Sequence, residues 1–409
     1  MTSLVLFLSL SATPPELTLE RYLAEVGKSN LWLAAQRANV PLAQAQIIIA
    51  KTFPDPVLTA GLASLDVSGV GAQNNLTASL SVPIEWPTKR PARVDFAKAN
   101  TDVVNAELED FVRVLRGAAA TSWVDALFAE RVLLRRKQTA TSLSEIARVN
   151  EERQRAGAVS EVVVLQSRLE ARRALGEVLS AEGDARAARL VLQEQMGATT
   201  EQSTLSGELR LPPRQFVLQA LIDGALQRRP DLRARQQARH AADSQLSLAR
   251  ANRGVDFAVS VGWLGYTAGA PNSAFAGPGY QTISALLSAP LPFSRVFDGE
   301  VRAAHAAQQQ TGALQDAAKL KVTLEVHAAL TRYEAAAARL AQFDEALLSD
   351  SDRMLEMARY AFTQGSSRLT DLLSAQRTWT ETSLSWEAAL ADHARALVAL
   401  ETAAGTWDL

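Results

Sequence analysis

Apolar and polar residues alternate from Asn75 to Trp86. Leu76, Ala78, Leu80, Val82, Ile84 and Trp86 fall on one face of an extended chain, and Asn75, Thr77, Ser79, Ser81 and Glu85 on the other. A second such stretch, 57–66, sets Leu58, Ala60 and Leu62 against Thr59, Gly61 and Ala63, with a Gly/Ser/Asn loop between the two. The pattern recurs late in the chain. Residues 256–266 set Phe257, Val259, Val261 and Trp263 against Ala258, Ser260 and Gly262. Residues 280–290 set Ile283, Ala285, Leu287 and Ala289 against Thr282, Ser284 and Ser288, with Leu286 interrupting the polar face. Each pair of predicted strands precedes a long proline-free run: none between Pro91 and Pro212, and none after Pro292. Those runs predict helices over about 93–152, about 90 Å at 1.5 Å per residue, and over 160–196, 299–362 and 368–404, with breaks at Gly157 and Gly365. The last helix repeats every seven residues. Leu372, Trp379, Trp386, His393 and Leu400 share one phase; Leu369, Leu390 and Leu397 share the other, diluted by Gln376 and Ser383. That period predicts coiled-coil packing.

The chain therefore reads as one unit stated twice. The expected division is a signal-like or disordered segment 1–16, a first repeat 17–200 (β-hairpin 57–86, helical hairpin 93–196), a linker 201–215, and a second repeat 216–409 (β-hairpin 256–290, helical hairpin 299–404). Ahead of the first hairpin a helix runs from Leu17 to about Lys51, capped by Thr18 and expected to kink or break at Pro41. Ahead of the second, one helix leads to Arg229-Pro-Asp-Leu-Arg233 and another to about Asn252. Met1 to Ala12 is apolar and ends in small residues, like the end of a secretory signal; a disordered apolar start is the alternative.

Composition narrows the chemistry. The chain has 409 residues, no cysteine and a net charge of −2. Thiolate metal sites, disulfides and a lipid-bearing cysteine are excluded, and no nucleic-acid footprint is present. No run of about 18 apolar residues exists, so any membrane crossing must be made by strands. His240, His305, His327 and His393 have no ligand-type spacing, and His393 is expected to pack at a helix interface. No catalytic constellation, cofactor site or metal site stands out.

The strands are about ten residues long, enough to span a bilayer when tilted. Their polar face carries Thr, Ser, Asn, Gly and Ala rather than the Lys, Glu and Arg usual on a soluble hairpin. Amphipathic hairpins packed on a soluble core are the competing interpretation. Four strands cannot close a barrel, so a spanning sheet must be shared between copies: eight strands from two, twelve from three.

The segments Arg229-Pro-Asp-Leu-Arg-Ala-Arg235, Ala358-Arg-Tyr-Ala-Phe-Thr-Gln-Gly365 with Asp371-Leu-Leu-Ser-Ala-Gln-Arg377, and Leu400-Glu-Thr-Ala-Ala-Gly405 resemble signatures of the TolC-like outer-membrane efflux factors of Gram-negative bacteria. The segment Pro83-Ile-Glu-Trp-Pro-Thr-Lys-Arg90 with Arg93 is similar to the cobalt–zinc–cadmium resistance branch. It has Trp86-Pro87-Thr88 where that branch has small residues and glycine. The resemblance implies a mainly α fold with a transmembrane β-barrel segment: long helical hairpins, four strands per chain, and a twelve-stranded barrel completed by a homotrimer. It implies an exit duct in the outer membrane with its helical part in the periplasm. Its partners would be outer-membrane lipid, a periplasmic membrane-fusion adaptor and, indirectly, an inner-membrane pump of the resistance–nodulation–division type. Heavy-metal cations are the leading cargo; drug or solvent efflux and type I secretion are the alternatives. A soluble coiled-coil scaffold or adaptor is the alternative of a different class, and an enzyme is not expected.

Three sets of residues follow. Arg155, Gly157, Ser160, Gln364, Gly365, Ser366 and Arg368 form the hairpin tips, the expected adaptor-docking surface, with both glycines expected at positive φ. Asp371, with Ser374 where the family often has a second aspartate, is expected at a cation-favouring entrance ring; a helix-capping aspartate is the alternative. Trp86, Trp263, Tyr266 and Tyr280 are the expected interfacial girdle. Arg153, Arg155 and Arg368 are candidates to latch neighbouring hairpins through salt bridges; for any one of them solvated surface charge is the preferred reading.

Overall fold

The proline-poor, alanine-rich stretches form helices and the four alternating stretches form one sheet. The structure is a computed structural model that describes residues 16–65, 73–198, 204–266, 281–291, 297–343 and 345–407. In order the elements are β1 (Glu16–Leu17), α1 (Leu19–Ser29), α2 (Leu31–Lys51), β2 (Val57–Leu65), β3 (Gln73–Ile84), α3 (Lys89–Arg155), α4 (Glu161–Met196), β4 (Thr204–Leu205), α5 (Leu218–Arg228), α6 (Pro230–Ala251), β5 (Phe257–Tyr266), β6 (Gln281–Ser288), α7 (Asp298–Ala341), α8 (Glu345–Thr363) and α9 (Leu369–Ala404). They group into two compact units, each drawing on both halves of the chain: Met1–Gln36 with Glu109–Pro230 and Lys319–Leu409, and Arg37–Leu108 with Asp231–Ala318.

The second of these units holds the sheet. Its strand order is β2-β3-β5-β6, antiparallel throughout. The register keeps like faces together: Leu80 sits opposite Leu58 and Val261, and Ala78 opposite Ala60 and Trp263. Trp263 in turn faces Ile283. Because side chains alternate, this register merges four short apolar rows into one face. The apolar face is open to the surroundings: Ile283 is 79% exposed and Leu58 74%. The other face carries Thr77, Ser79, Ser81, Ser260 and Ser284, and Ser260 Oγ bonds Ser81 Oγ at 2.9 Å. None of the four strands contains a charged residue. Pro83 lies inside β3 opposite Ala258, one residue before the strand stops.

The first unit is built on helix packing. Alanines that are fully or nearly fully buried (Ala119, Ala126, Ala389, Ala391) let helices approach closely around Trp123 and Leu127, and Tyr22 stacks on Trp123 at 5.4 Å. The heptad of α9 is realised in part: Leu369, Leu372, Leu390, His393, Leu397 and Leu400 are buried, as are the diluting residues Gln376 and Ser383, while Trp379 and Trp386 are half-buried. Arg229 of the Arg-Pro-Asp-Leu segment is buried too. It donates to Glu325 at 2.8 Å and to the carbonyl of Ala403 at 3.1 Å, while Arg113 takes the carbonyl of Thr402 at 2.7 Å. Two cations thus satisfy the last turn of α9, where carbonyls lack helical partners. β1 pairs in parallel with β4, a small sheet that the pattern did not predict.

Two helix breaks differ from expectation. Pro41 lies inside α2, and the break falls instead at Asn30. Asn30 Oδ1 accepts the Leu33 amide at 2.8 Å, and its Nδ2 donates to the carbonyl of Gln195 at 2.8 Å. A cap of α2 that also ties down the end of α4 outweighs the proline. The helix expected over 299–362 is two helices, α7 and α8. Gln342 and Phe343 close α7 with bonds to Arg339 and Leu340, and the Phe343 ring packs 6.3 Å from Trp386.

His393 packs at a helix interface as expected. It is fully buried beside Tyr333, ring centroids 5.2 Å apart, and burial holds its pKa below the usual histidine value. A depressed histidine pKa stabilises the fold above the unfolded value, about 6.5, and that stability is lost as pH falls below it. The melting temperature of the detergent-solubilised protein should therefore drop from pH 7 to pH 5, and drop less in His393→Leu. Identical pH profiles would remove His393 from the account.

Candidate functional site

Both helical hairpins turn with the same backbone geometry. In the first, Gly157 has φ +76°, its amide bonds Gln154 O at 2.8 Å, and Ala158 N bonds Arg153 O at 2.8 Å. In the second, Gly365 has φ +75°, its amide bonds Phe362 O at 3.1 Å, and Ser366 N bonds Ala361 O at 2.9 Å. This paired 6→1 and 5→2 closure needs a left-handed residue just past the helix, which costs a residue with a Cβ roughly 1–2 kcal/mol. Three residues after each glycine an extended residue starts the next helix: Ser160 for α4 and Arg368 for α9. Gln364 N closes the last turn of α8 on Tyr360 O at 3.0 Å. Arg155, Ser160, Gln364, Ser366 and Arg368 are exposed.

The tips differ in their side chains. Asp371 Oδ2 accepts the Arg368 amide at 3.1 Å, so its carboxylate caps α9; the same place in α4 is Val163. Asp371 and Ser374 are both exposed. The expected latch takes an unexpected form. Arg153 donates to the carbonyls of Phe362 at 3.2 Å and Thr363 at 2.9 Å, and its guanidinium lies 5.0 Å from the Phe362 ring. It caps α8 within the same chain instead of pairing with a carboxylate.

Behind the tips the helix seam is polar. Ser142 Oγ bonds Gln376 Oε1 at 2.8 Å, Arg359 Nη2 reaches both (2.5 and 3.3 Å), and Thr139 meets Thr380 at 3.1 Å. Asn150 is fully buried, with neither amide atom bonded among the described residues. Sequence analysis missed Asn150 and treated Gln376 only as a flaw in the heptad. Polar residues recurring on an otherwise apolar stripe were the available signal. A groove of 960 Å³ opens here, lined in part by Arg135, Glu145, Asp352, Arg359, Phe362 and Trp379.

The girdle residues are partly described. Trp86, 44% exposed, lies two residues past β3; Trp263 lies within β5, on the apolar face, and donates to Gln281 at 3.4 Å. Trp263 pairs with Ala78, six residues before the end of β3, so the two tryptophans lie well apart along that strand. Tyr280 and the side chain of Tyr266 lie outside the described residues. Among the described residues no cluster of three potential metal-ligating side chains occurs, and no helix is long and apolar enough to cross a membrane.

Replacing Gly365 by alanine should lower stability by about 1–2 kcal/mol in denaturant titrations, and Gly157→Ala should do the same. Alanine at Gly312, within α7, should not. Equal effects at all three would show that the turns are not left-handed.

Residues 221–406 match the outer membrane efflux protein family. Over 385 residues the chain is 24% identical to the cobalt-zinc-cadmium resistance protein CzcC of Cupriavidus metallidurans, covering 92% of this chain and 87% of that protein. Its fold is similar to that of CusC, whose crystal structures address transmembrane channel formation. The TM-score is 0.75 at 16% identity, over 98% of this chain and 96% of that one. It is also similar to the outer membrane channel CmeC of Campylobacter jejuni, with a TM-score of 0.72 at 16% identity, over 95% and 85% of the two chains. The family and these relatives are efflux and channel proteins rather than enzymes. The stretch that matches the outer membrane efflux protein family, residues 221–406, includes the second hairpin tip and the buried Arg229.

Proposed function

We propose that this chain is the outer-membrane exit duct of a tripartite efflux system, working as a homotrimer whose three sheets close one twelve-stranded barrel. The observation that carries this is the sheet itself. Its face of Leu58, Leu80, Val261 and Ile283 is apolar and uncovered, its other face is small and hydroxyl-rich, and β2 and β6 are its two edges. An apolar outer face and an uncharged polar inner face suit a wall between lipid and water. Trp86 lies past one end of the apolar band and Trp263 one row inside the other, next to the row of Leu62 and Leu76. On the helical side, Val162, Leu165, Leu169 and Leu179 of α4 are exposed, a stripe suited to a neighbouring copy.

In this proposal cargo moves passively. The tips at Gly157 and Gly365 dock a periplasmic adaptor, which links the duct to an inner-membrane pump. Three Asp371 carboxylates ring the entrance and favour cations. Heavy-metal cations are the cargo best supported, because the relative alike over most of the chain is a cobalt-zinc-cadmium resistance protein.

A strain lacking the gene should become more sensitive to zinc, cobalt or cadmium. Sensitivity to drugs alone would assign the duct to drug efflux, and unchanged sensitivity to all would reject the efflux role. In planar bilayers the purified protein should conduct with cation preference, and Asp371→Asn should reduce that preference without lowering conductance. Unaltered selectivity would reject the ring.

A further inference from the structure

The segment Pro83 to Arg93, which resembles the metal-resistance branch, spends its charged groups on the molecule itself. Arg93 holds Glu85 with two prongs, Nη1 to Oε1 at 2.7 Å and Nη2 to Oε2 at 3.2 Å. It also donates to the carbonyls of Ala50 and Thr52, each at 3.1 Å. Arg90 donates to the carbonyl of Lys51 at 2.8 Å and lies over the Phe53 ring at 4.2 Å. The first turns of α3 thus take up the carbonyls at the end of α2.

The same segment reaches into the second half of the chain. Asp256, just ahead of β5, accepts Lys89 Nζ at 2.6 Å and the Trp86 amide at 2.8 Å. The Lys89 side chain is only 13% exposed. Trp86 lies so close to Gly254 that a Cβ there would collide with its ring. Burial pushes the Asp256 carboxyl up. The bonds from Lys89 and the Trp86 amide, with the charges of Lys89 and Arg93, outweigh that and hold it below the usual carboxylate range. The end of α2, the end of β3, the start of α3 and the start of β5 all converge here.

We propose that Glu85, Lys89, Arg93 and Asp256 form a clasp that fixes where the sheet gives way to helices, and that residues 83–93 therefore serve assembly of the duct for any cargo instead of selecting the cargo. Both oxygens of Glu85 and both of Asp256 are bonded to groups of the chain. A passing divalent cation would meet one carboxylate already paired with a guanidinium and the other with an ammonium and a backbone amide. A metal-selecting site would leave carboxylate oxygens open.

The cargo half of this proposal rests on the exit-duct reading; the clasp does not. The test uses the full chain carrying Lys89→Ala, Asp256→Ala, both together, or Asp256→Asn, which keeps an acceptor for the Trp86 amide. Unfolding of purified protein in detergent should show each alanine variant shifted towards the unfolded state on the order of tenfold. The double variant should be no worse than the worse single, and Asp256→Asn should lie between wild type and Asp256→Ala. In cells, zinc, cadmium and drug resistance should fall together, in proportion to the protein reaching the outer membrane. Additive or absent unfolding effects would overturn the clasp. A variant present at wild-type level that loses one metal and keeps the others would overturn the assignment to assembly. If the wild type confers no resistance, the exit-duct reading fails and the unfolding arm still decides the clasp.

Discussion

Backbone hydrogen bonding at a sheet edge is the constraint on which the rest depends. Among the described residues β2, of nine residues, pairs with β3 alone, and β6, of eight, pairs with β5 alone. Each edge therefore presents a row of N–H and C=O groups without a partner in the sheet. In water such an edge is tolerable; in hydrocarbon each unpaired group costs several kcal/mol. The composition of the faces makes water an unfavourable home, since the apolar rows from Leu58 to Ile283 would remain wetted at about 25 cal/mol per Å². One arrangement relieves both costs: edge β6 of one copy against edge β2 of the next. The absence of charge within the strands fits the same solution, because a charged residue on the outer face would oppose insertion.

The helices carry a complementary logic. Small residues bring them close, and two left-handed glycines close the hairpins with the same pair of bonds. The buried face of α9 mixes leucine and alanine with polar residues along its length; near the tips Gln376 and Thr380 of α9 meet Ser142 and Thr139 of α3, with Asn150 buried close to the turn in sequence. A polar residue in a coiled-coil seam lowers stability and specifies register. The tips thus combine left-handed glycine turns with a helix seam held by side-chain hydrogen bonds. Arg153, bound to carbonyls of α8, adds a contact that can open without stranding a buried carboxylate.

Much of this was legible in the sequence because it rests on periodicity. The alternation placed the four strands of the large sheet to within two residues, and the heptad identified much of the buried stripe of α9, His393 included. Long-range capping was not legible. Asn30 stops a helix by bonding Gln195, 165 residues away, and nothing local outranked Pro41 as the expected break. Arg153 looked like a surface charge because its acceptors are carbonyls 209 and 210 residues away. The segment 83–93 was legible as a resemblance but not as a mechanism, since Asp256, its counter-charge, lies 167 residues from Lys89.

The shared wall can be tested with the chain's own lack of cysteine as a silent background. Within one copy β2 and β6 are three strand spacings apart, about 14 Å, too far for a disulfide. One cysteine is placed at Thr59, and a second is moved along Thr282, Ser284 and Ser288. After oxidation in the outer membrane, at least one pair should give a ladder of cross-linked species ending at three chains. Uncross-linked single chains with free thiols at every pair would contradict the closed barrel.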